Sequence, residues 1–278
     1  MRALFHFFLF SSLFIAFGAV LMVYQTAHLM ELDFPVDSIL YFVFFATLCS
    51  YNLHWYFTPS SPEEKIRTQW TIKNKPLHLT LAFAGGLGSF IFFWKLKEYW
   101  YFILPSVVLT FLYTAPKIPF GPFPHLKKVA IGKTIFLSAV WTYVTTTMPL
   151  LIYETEWQTR ETLFCISRFF LIYAICILFD YRDRDADRAD GVRSMITYFS
   201  EKGIDRLFFF SLLVFGGATT GLAMQGIKLI PVIALTVPGI ITGFLYRYAK
   251  KNHSDYLYYF VLDGLMVFSS LLTLILPF

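Results

Sequence analysis

Charge is what this 278-residue chain has least of: Asp, Glu, Lys and Arg together make up 15% of it, against about 25% in a soluble domain. With 57% hydrophobic residues and a mean hydropathy of +0.59, there is too little polar surface to cover a fold of this size in water, so a soluble globular protein is excluded and a membrane protein expected. Cysteine is scarce too. Cys49, Cys165 and Cys176 all fall within apolar segments and form no CxxC pair or metal-ligand spacing, which excludes a disulfide framework. No internal linker, low-complexity tract or soluble module interrupts the chain, and residues 1–278 read as one membrane domain. The net charge of +5 and pI near 9.0 would suit a nucleic acid. In a membrane chain, however, a modest basic excess marks cytoplasmic loops, and no nucleic-acid partner is expected.

What the chain has is long apolar runs. A spanning helix needs about 20 mostly apolar residues, and that ruler gives about nine segments, so the expected fold is all-α and polytopic. They are Leu4 to Ala27, Ile39 to Phe57, Leu77 to Trp94, Tyr99 to Ala115, Val129 to Tyr153, Leu163 to Asp180, Leu207 to Met224, Leu229 to Ala249 and Leu257 to Leu276. The first follows Met1 and Arg2 as a signal peptide would, but it exceeds the roughly 7 to 15 residues of a signal core and is expected to stay as the first helix.

Basic residues orient the bundle. The even-to-odd connections carry Lys65, Arg67, Lys73 and Lys75; Lys117, Lys127, Lys128 and Lys133; Arg182, Arg184, Arg188, Arg193, Lys202 and Arg206; and Arg247, Lys250 and Lys251. With Arg2 they share one side. The other side has Lys95, Lys97, Arg160 and Lys228 beside Glu31, Asp33, Asp37, Glu154, Glu156 and Glu161. The N-terminus and the long polar loops are therefore expected in the cytoplasm, with the chain in the inner (cytoplasmic) membrane.

Of the two longest polar stretches, Thr58 to Pro76 and Asp180 to Arg206, the second carries the stronger chemistry, in the run DYRDRDADRADG from Asp180 to Gly191. If the sixth helix continues into it, Asp180, Asp183 and Asp187 stand at i, i+3 and i+7 on one face. Stacked carboxylates repel one another unless a cation sits between them. Mg²⁺ suits oxygen donors, taking one or two carboxylates and completing its shell with water and substrate phosphates. Asp185 points to another face, and Arg182, Arg184 and Arg188 can hold phosphate oxygens or neutralise the acids. An ordinary solvated loop with charges of both signs is the competing interpretation.

The run from Asp180 to Met195 resembles the second aspartate-rich motif of the UbiA superfamily of intramembrane prenyltransferases, roughly (N/D)xxDxxxDxxxGxxT. Asp180, Asp183, Asp187 and Gly191 fall on its positions and Ser194 stands where Thr is usual. Upstream, Tyr113, Thr114, Ala115, Pro116 and Lys117 resemble that family's YxxxK element, followed by a basic loop with Leu126, Lys127, Lys128, Ile131 and Gly132. The family's first motif, NDxxDxxxD, would begin at Asn52, but Leu53, Tyr56 and Ser60 occupy its aspartate positions. Glu63 and Glu64 are the nearby carboxylates, His54 is a possible ligand or hydrogen-bond donor, and Lys73, Lys75, Pro76 and Leu77 faintly echo the RPL that follows that motif.

The resemblance implies Mg²⁺-assisted departure of diphosphate from a polyprenyl diphosphate, leaving an allylic cation that alkylates an aromatic or lipid acceptor. Metal ions stabilise charge building on a leaving group, and a dry aromatic cavity protects the cation. By the same resemblance Asp183 and Asp187 would hold Mg²⁺, with Asp180 as third ligand or positioner. Tyr113 and Lys117 would touch diphosphate or cation, with Asn52, Arg182 and Lys127 as further substrate contacts. Two alternatives stay open. One is a UbiA-like fold that has lost catalysis with its first motif and binds an isoprenoid or a protein. The other is a different membrane enzyme or a transporter. Asp187, Asp190 and Gly191 resemble the DxxDG start of CDP-alcohol phosphotransferases, but Ser194, Met195, Gly203 and Asp205 depart from the rest of that pattern, and no inverted repeat points to a transporter.

Arg168 and Asp263 lie inside spans, where ionisable residues usually face the bundle interior; a structural use is expected for both, near the membrane interface. The runs Gly85, Gly86, Gly88 and Gly216, Gly217, Gly221 suit close helix packing.

Overall fold

The structure, a computed structural model, describes residues 1–32, 36–58, 65–118, 133–153, 156–189 and 194–275. Among them every regular element is helical. In chain order these are α1 (Arg2–Phe10), α2 (Leu13–Leu29), α3 (Val36–Tyr56), α4 (Ile66–Lys73), α5 (Lys75–Lys95), α6 (Trp100–Thr114), α7 (Lys133–Thr142), α8 (Met148–Ile152), α9 (Thr159–Ala189), α10 (Met195–Tyr198), α11 (Glu201–Met224), α12 (Leu229–Ala249) and α13 (Asp263–Ile275). Single π turns, Tyr143–Thr147 and Leu257–Leu262, join α7 to α8 and lead into α13. The chain is an integral, multi-pass membrane protein: six helices of the described residues are long and apolar enough to cross a bilayer, or seven if α1 and α2, bent by 57° at Ser11 and Ser12, form one span. The two other expected segments are α3 and α6, which do not meet the same test. At 15 residues α6 rises only about 22 Å against a hydrocarbon core of about 30 Å.

The centre of the bundle is α9, whose residues from Leu171 to Leu178 are all buried. Its 31 residues rise about 46 Å, more than the hydrocarbon thickness, so its charged C-terminal turns project beyond the apolar layer. The bundle's exterior is apolar, as a lipid-facing surface must be; Phe83, Leu213 and Phe244 are among the most exposed side chains.

Close packing is strongest between α3 and α5. A Cβ on Gly85 would lie 2.6 Å from Cys49 N and 2.8 Å from Phe45 O, and one on Gly88 would lie 2.5 Å from the Phe45 ring. At Gly85 the two backbones touch because that position has no side chain, and at Gly88 the Phe45 ring takes the space. The second glycine run does not behave this way. Among the described residues nothing lies within 4 Å of a Cβ on Gly216 or Gly217, and only Gly221 meets a neighbour, Leu163. At Gly216 and Gly217 no described helix approaches the glycine side, whereas Gly221 faces α9, so only part of the run packs closely.

Arg168 does not snorkel, and among the described residues it finds no carboxylate. It is 5% exposed, and its Nη atoms donate to Met22 O (2.9 Å), Thr26 Oγ1 (2.7 Å), Thr145 O (2.9 Å), Thr146 Oγ1 (2.9 Å) and Gln25 Oε1 (2.7 Å). The local cause is Pro149 at the head of α8. Proline has no N–H to give the carbonyl four residues back, which is that of Thr145. The π turn and this lost donor leave Thr145 O to Thr26 Oγ1 (2.7 Å) and to Arg168. One guanidinium thus joins α2, α9 and the π turn.

Candidate functional site

The acidic helix continues as the residue spacing required. Asp180, Asp183 and Asp187 all lie within α9, on successive turns of one face. Asp180 is buried and accepts a hydrogen bond from Thr134 Oγ1 on α7. The Asp183 side chain is 33% exposed, accepts from Arg182 Nε at 3.0 Å and lies 3.6 Å from Lys65 Nζ. Asp187 is partly exposed one turn further on. Asp185 points away, with its side chain 99% exposed.

The arginines divide the work. Arg184 binds Glu201 Oε1 (2.5 Å) and Phe199 O (2.7 Å), and Arg188 binds Thr197 O (2.9 Å). Both fasten the projecting turns of α9 to the α10–α11 segment. Ser194 caps α10, its hydroxyl accepting from Thr197 N while Thr197 Oγ1 accepts from Ser194 N. Lys250 completes this brace with Glu201 (2.8 Å) and Asp205 (2.9 Å). Burial alone would push the Lys250 ammonium down, but its bonds to Glu201 and Asp205 prevail and raise it above the usual lysine range.

The other matched element meets the end of α3. The Tyr113 ring stacks on His54, centroids 4.9 Å apart and planes 13° off parallel, and Lys117 Nζ donates to Thr58 Oγ1 at 2.8 Å. Leu53 and Tyr56 occupy this same end of α3, at two of the three aspartate positions of the missing first motif. Asn52 is fully buried. Its Nδ2 donates to Ser11 O (3.0 Å) and Leu48 O (2.8 Å), and its Oδ1 meets His78 Nδ1 at 2.7 Å. The amide is therefore committed to the break between α1 and α2 and to α5.

Residues that the motif reading did not single out join the two halves. Arg67 on α4 is 5% exposed, and its guanidinium lies between the rings of Trp55 (4.0 Å) and Tyr259 (4.1 Å). Arg182 lies over the other side of this cluster, 5.0 Å from the Tyr259 ring and 4.4 Å from that of Tyr258, with Nη2 donating to Tyr259 OH at 2.9 Å. Lys117 Nζ is 5.6 Å from the Trp55 ring. Asp255 is shared: Oδ2 accepts from the Arg67 backbone N–H at 2.8 Å, while Oδ1 is 3.9 Å from Arg182 Nη1. Burial pulls the Arg67 guanidinium down from its ordinary value, with Tyr259, Asp263 and Asp255 acting against it. Asp263, at the head of α13, is therefore in electrostatic reach of this cluster. In the sequence Arg67 counted only as one positive charge in a loop, and nothing marked Trp55, Tyr259 or Asp255 as its partners.

Lys127 and Lys128, with Ser60, Glu63, Glu64, Asp190 and Gly191, lie outside the described residues. Among the described residues no group of three or more His, Cys, Asp and Glu side chains is gathered as a metal site. Asp183 and Asp187 suit one hard cation, because Mg²⁺ takes only one or two carboxylates and fills its shell with water and phosphate oxygens.

No curated protein and no solved structure matches the chain. The UbiA prenyltransferase family model matches residues 71–270, a segment that begins after the position of the missing first motif and contains Tyr113, Lys117 and all three aspartates. With most of its length matched, and both matched motifs found at one end of an all-helical membrane bundle, the chain belongs to the UbiA prenyltransferase family.

Proposed function

We propose that the protein is an integral membrane prenyltransferase that moves a polyprenyl group from a polyprenyl diphosphate to an aromatic or lipid acceptor, as in the making of a quinone, lipid or pigment precursor. Residues 1–278 act as one domain of nine spans, counting α3 and α6, in the inner membrane with the motif end in the cytoplasm. The observation that carries the reading is the convergence, in a UbiA family member, of Tyr113 and Lys117 with the face of Asp180, Asp183 and Asp187, bridged by Trp55, Arg67, Tyr259 and Arg182.

Asp183 and Asp187 hold Mg²⁺, and Asp180, tied to Thr134, fixes the helix face that presents them. The ion, when bound, stabilises the negative charge that grows on departing diphosphate. Lys117 and Arg182 attract the phosphate oxygens, Lys127 adds to them from the loop after Lys117, and Tyr113 offers a ring face toward the allylic carbon. Asn52 supports the site through the α1–α2 break that it holds.

A second reading keeps the fold and the ligand without the reaction. It is favoured by the start of the family match at residue 71, past a first motif in which Leu53 and Tyr56 replace aspartates. Purified protein in lipid nanodiscs, given labelled geranyl, farnesyl and longer polyprenyl diphosphates with Mg²⁺ and a panel of aromatic and lipid acceptors, separates the two. Mg²⁺-dependent diphosphate release, lost in Asp183→Asn and Asp187→Asn, is the expected result. Binding without any release across the panel establishes the non-catalytic reading, and Mg²⁺-dependent binding that survives both substitutions refutes the metal assignment.

A further inference from the structure

Arg168 is a buried cation whose donors the contacts to α2 and the π turn do not exhaust. A guanidinium has five N–H groups. Both on Nη1 are committed to four oxygens and one on Nη2 to Gln25 Oε1, so among the described residues the N–H of Nε and the second on Nη2 meet no acceptor. The same side chain lines a cavity of about 10 Å³ between α2, α9, α11, α12 and α13, which is room for one particle the size of a water molecule. Gln25, Ser167 and Ser269 are its other polar walls. Gln25 is engaged at both ends, through Nε2 to Thr273 Oγ1 (2.9 Å) and at Oε1 by Arg168 and Ser270. Ser167 pairs with Thr219 at 2.7 Å. Ser269 is held loosely, its hydroxyl 3.4 Å from a Gln25 Oε1 that already accepts from two other groups. One small cavity is thus lined by a guanidinium with two uncommitted donors and by a hydroxyl with a poor acceptor. It lies about 18 Å along α9 from Asp180, well away from the motif end.

We propose that this cavity is a halide site, in which a single chloride ion accepts from Arg168 Nε and Nη2 and from the Ser269 hydroxyl. Charge decides between an ion and a water. A water takes the same donors but leaves the guanidinium charge unbalanced inside the bundle, where an unpaired charge is costly. A monovalent anion takes the donors and cancels the charge, as a carboxylate would. Size decides which anion: carboxylates and sulfate exceed the cavity, whereas chloride is only slightly larger than water. Met22 and Met266 are also in the lining, and their flexible thioethers can yield the extra room. Through Ser269 the ion ties α13 to the guanidinium that already joins α2, α9 and the π turn. The site holds whether or not the motif end releases diphosphate.

The test is equilibrium binding of radiolabelled chloride to the full chain in lipid nanodiscs, together with thermal unfolding at constant ionic strength as gluconate is exchanged for chloride or bromide. Wild-type protein is expected to bind one chloride per chain. Its melting temperature should climb with chloride, by roughly 5–11 °C at a hundredfold excess over the dissociation constant, and bromide should act alike. Arg168→Met should bind no chloride and lose that climb; in gluconate its loss of stability is that of the hydrogen bonds alone. Ser269→Ala leaves the five contacts of Arg168 in place and should weaken chloride binding about three- to tenfold, the loss of one hydrogen bond, which keeps the test decisive even if Arg168→Met does not fold. Wild-type protein that neither binds chloride nor gains stability from it overturns the proposal and leaves the cavity to water. Chloride binding that survives Arg168→Met, or is unchanged in Ser269→Ala, places the ion elsewhere and overturns the assignment.

Discussion

Replacing Arg168 tests whether the buried guanidinium is a structural clasp. Its five acceptors, four of which share the two N–H groups of Nη1, are together worth at most about 3 kcal/mol, at about 0.6 kcal/mol each for polar contacts within a membrane protein. Not all of that is lost in Arg168→Met. Thr145 O keeps its bond from Thr26 Oγ1, and Gln25 Oε1 keeps one from Ser270 Oγ at 3.1 Å. Removing a charge that no carboxylate balances also relieves desolvation, so about 2 kcal/mol of destabilisation is expected. Arg168→Lys should be worse. Its ammonium retains the charge but cannot reach acceptors on α2 and on the π turn together, and an undercompensated buried charge costs about 3–5 kcal/mol. Thermal unfolding in nanodiscs is the assay. At roughly 2–4 °C per kcal/mol for a chain approaching this size, the Met variant should melt roughly 4–8 °C below wild type and the Lys variant lower still. A Lys variant as stable as wild type, or more stable than the Met variant, would show that charge matters and the five-acceptor geometry does not, refuting the clasp.

Three further outcomes can be checked in the same preparation. Gly85→Ala forces a Cβ against Cys49 N and Phe45 O, backbone atoms that cannot turn aside, and should cost about 1–3 kcal/mol as overpacking does; Gly217→Ala, open on that side, should be neutral or stabilise by up to about 1 kcal/mol. Asn52→Ala strips partners from Ser11 O, Leu48 O and His78 Nδ1 and should cost about 1–3 kcal/mol. A lowered melting temperature separates this from a residue that only touches substrate, which would alter KM alone. Lys250→Met loosens the brace on Glu201 and Asp205 by about 0.2–1 kcal/mol. Because the folded-state lysine is raised, this contribution is whole below the ordinary lysine value near 10.4 and fades only as pH rises above it, so the wild-type and Lys250→Met difference should be flat from pH 6 to 9.

What the sequence made legible was what repeats or stands close along the chain. Apolar length marked the helices, and the i, i+3, i+7 spacing correctly placed Asp180, Asp183 and Asp187 on one face, because both follow from the helix period. The two glycine runs look alike in sequence, yet Gly85 is pressed against another backbone and Gly88 against the Phe45 ring, while among the described residues Gly216 and Gly217 meet nothing within 4 Å; which side of a helix meets a neighbour is a tertiary fact. Asn52 is similar. Its position matched a motif, but its amide is spent on a carbonyl 41 residues away, freed by a helix break that no apolar count reveals.

The cluster around Arg67 was hidden for the same reason in stronger form. Arg67 reaches Asp255 across 188 residues, and a charge in a basic loop carries no mark that it will be buried between two rings. What the sequence did record was the loss: three aspartate positions filled by Leu53, Tyr56 and Ser60. Arg67, carried by the helix that follows those positions, is set instead against the Trp55 ring at the end of α3, a contact between two segments that neither one announces, because local spacing reports the face of a helix and not what packs on it.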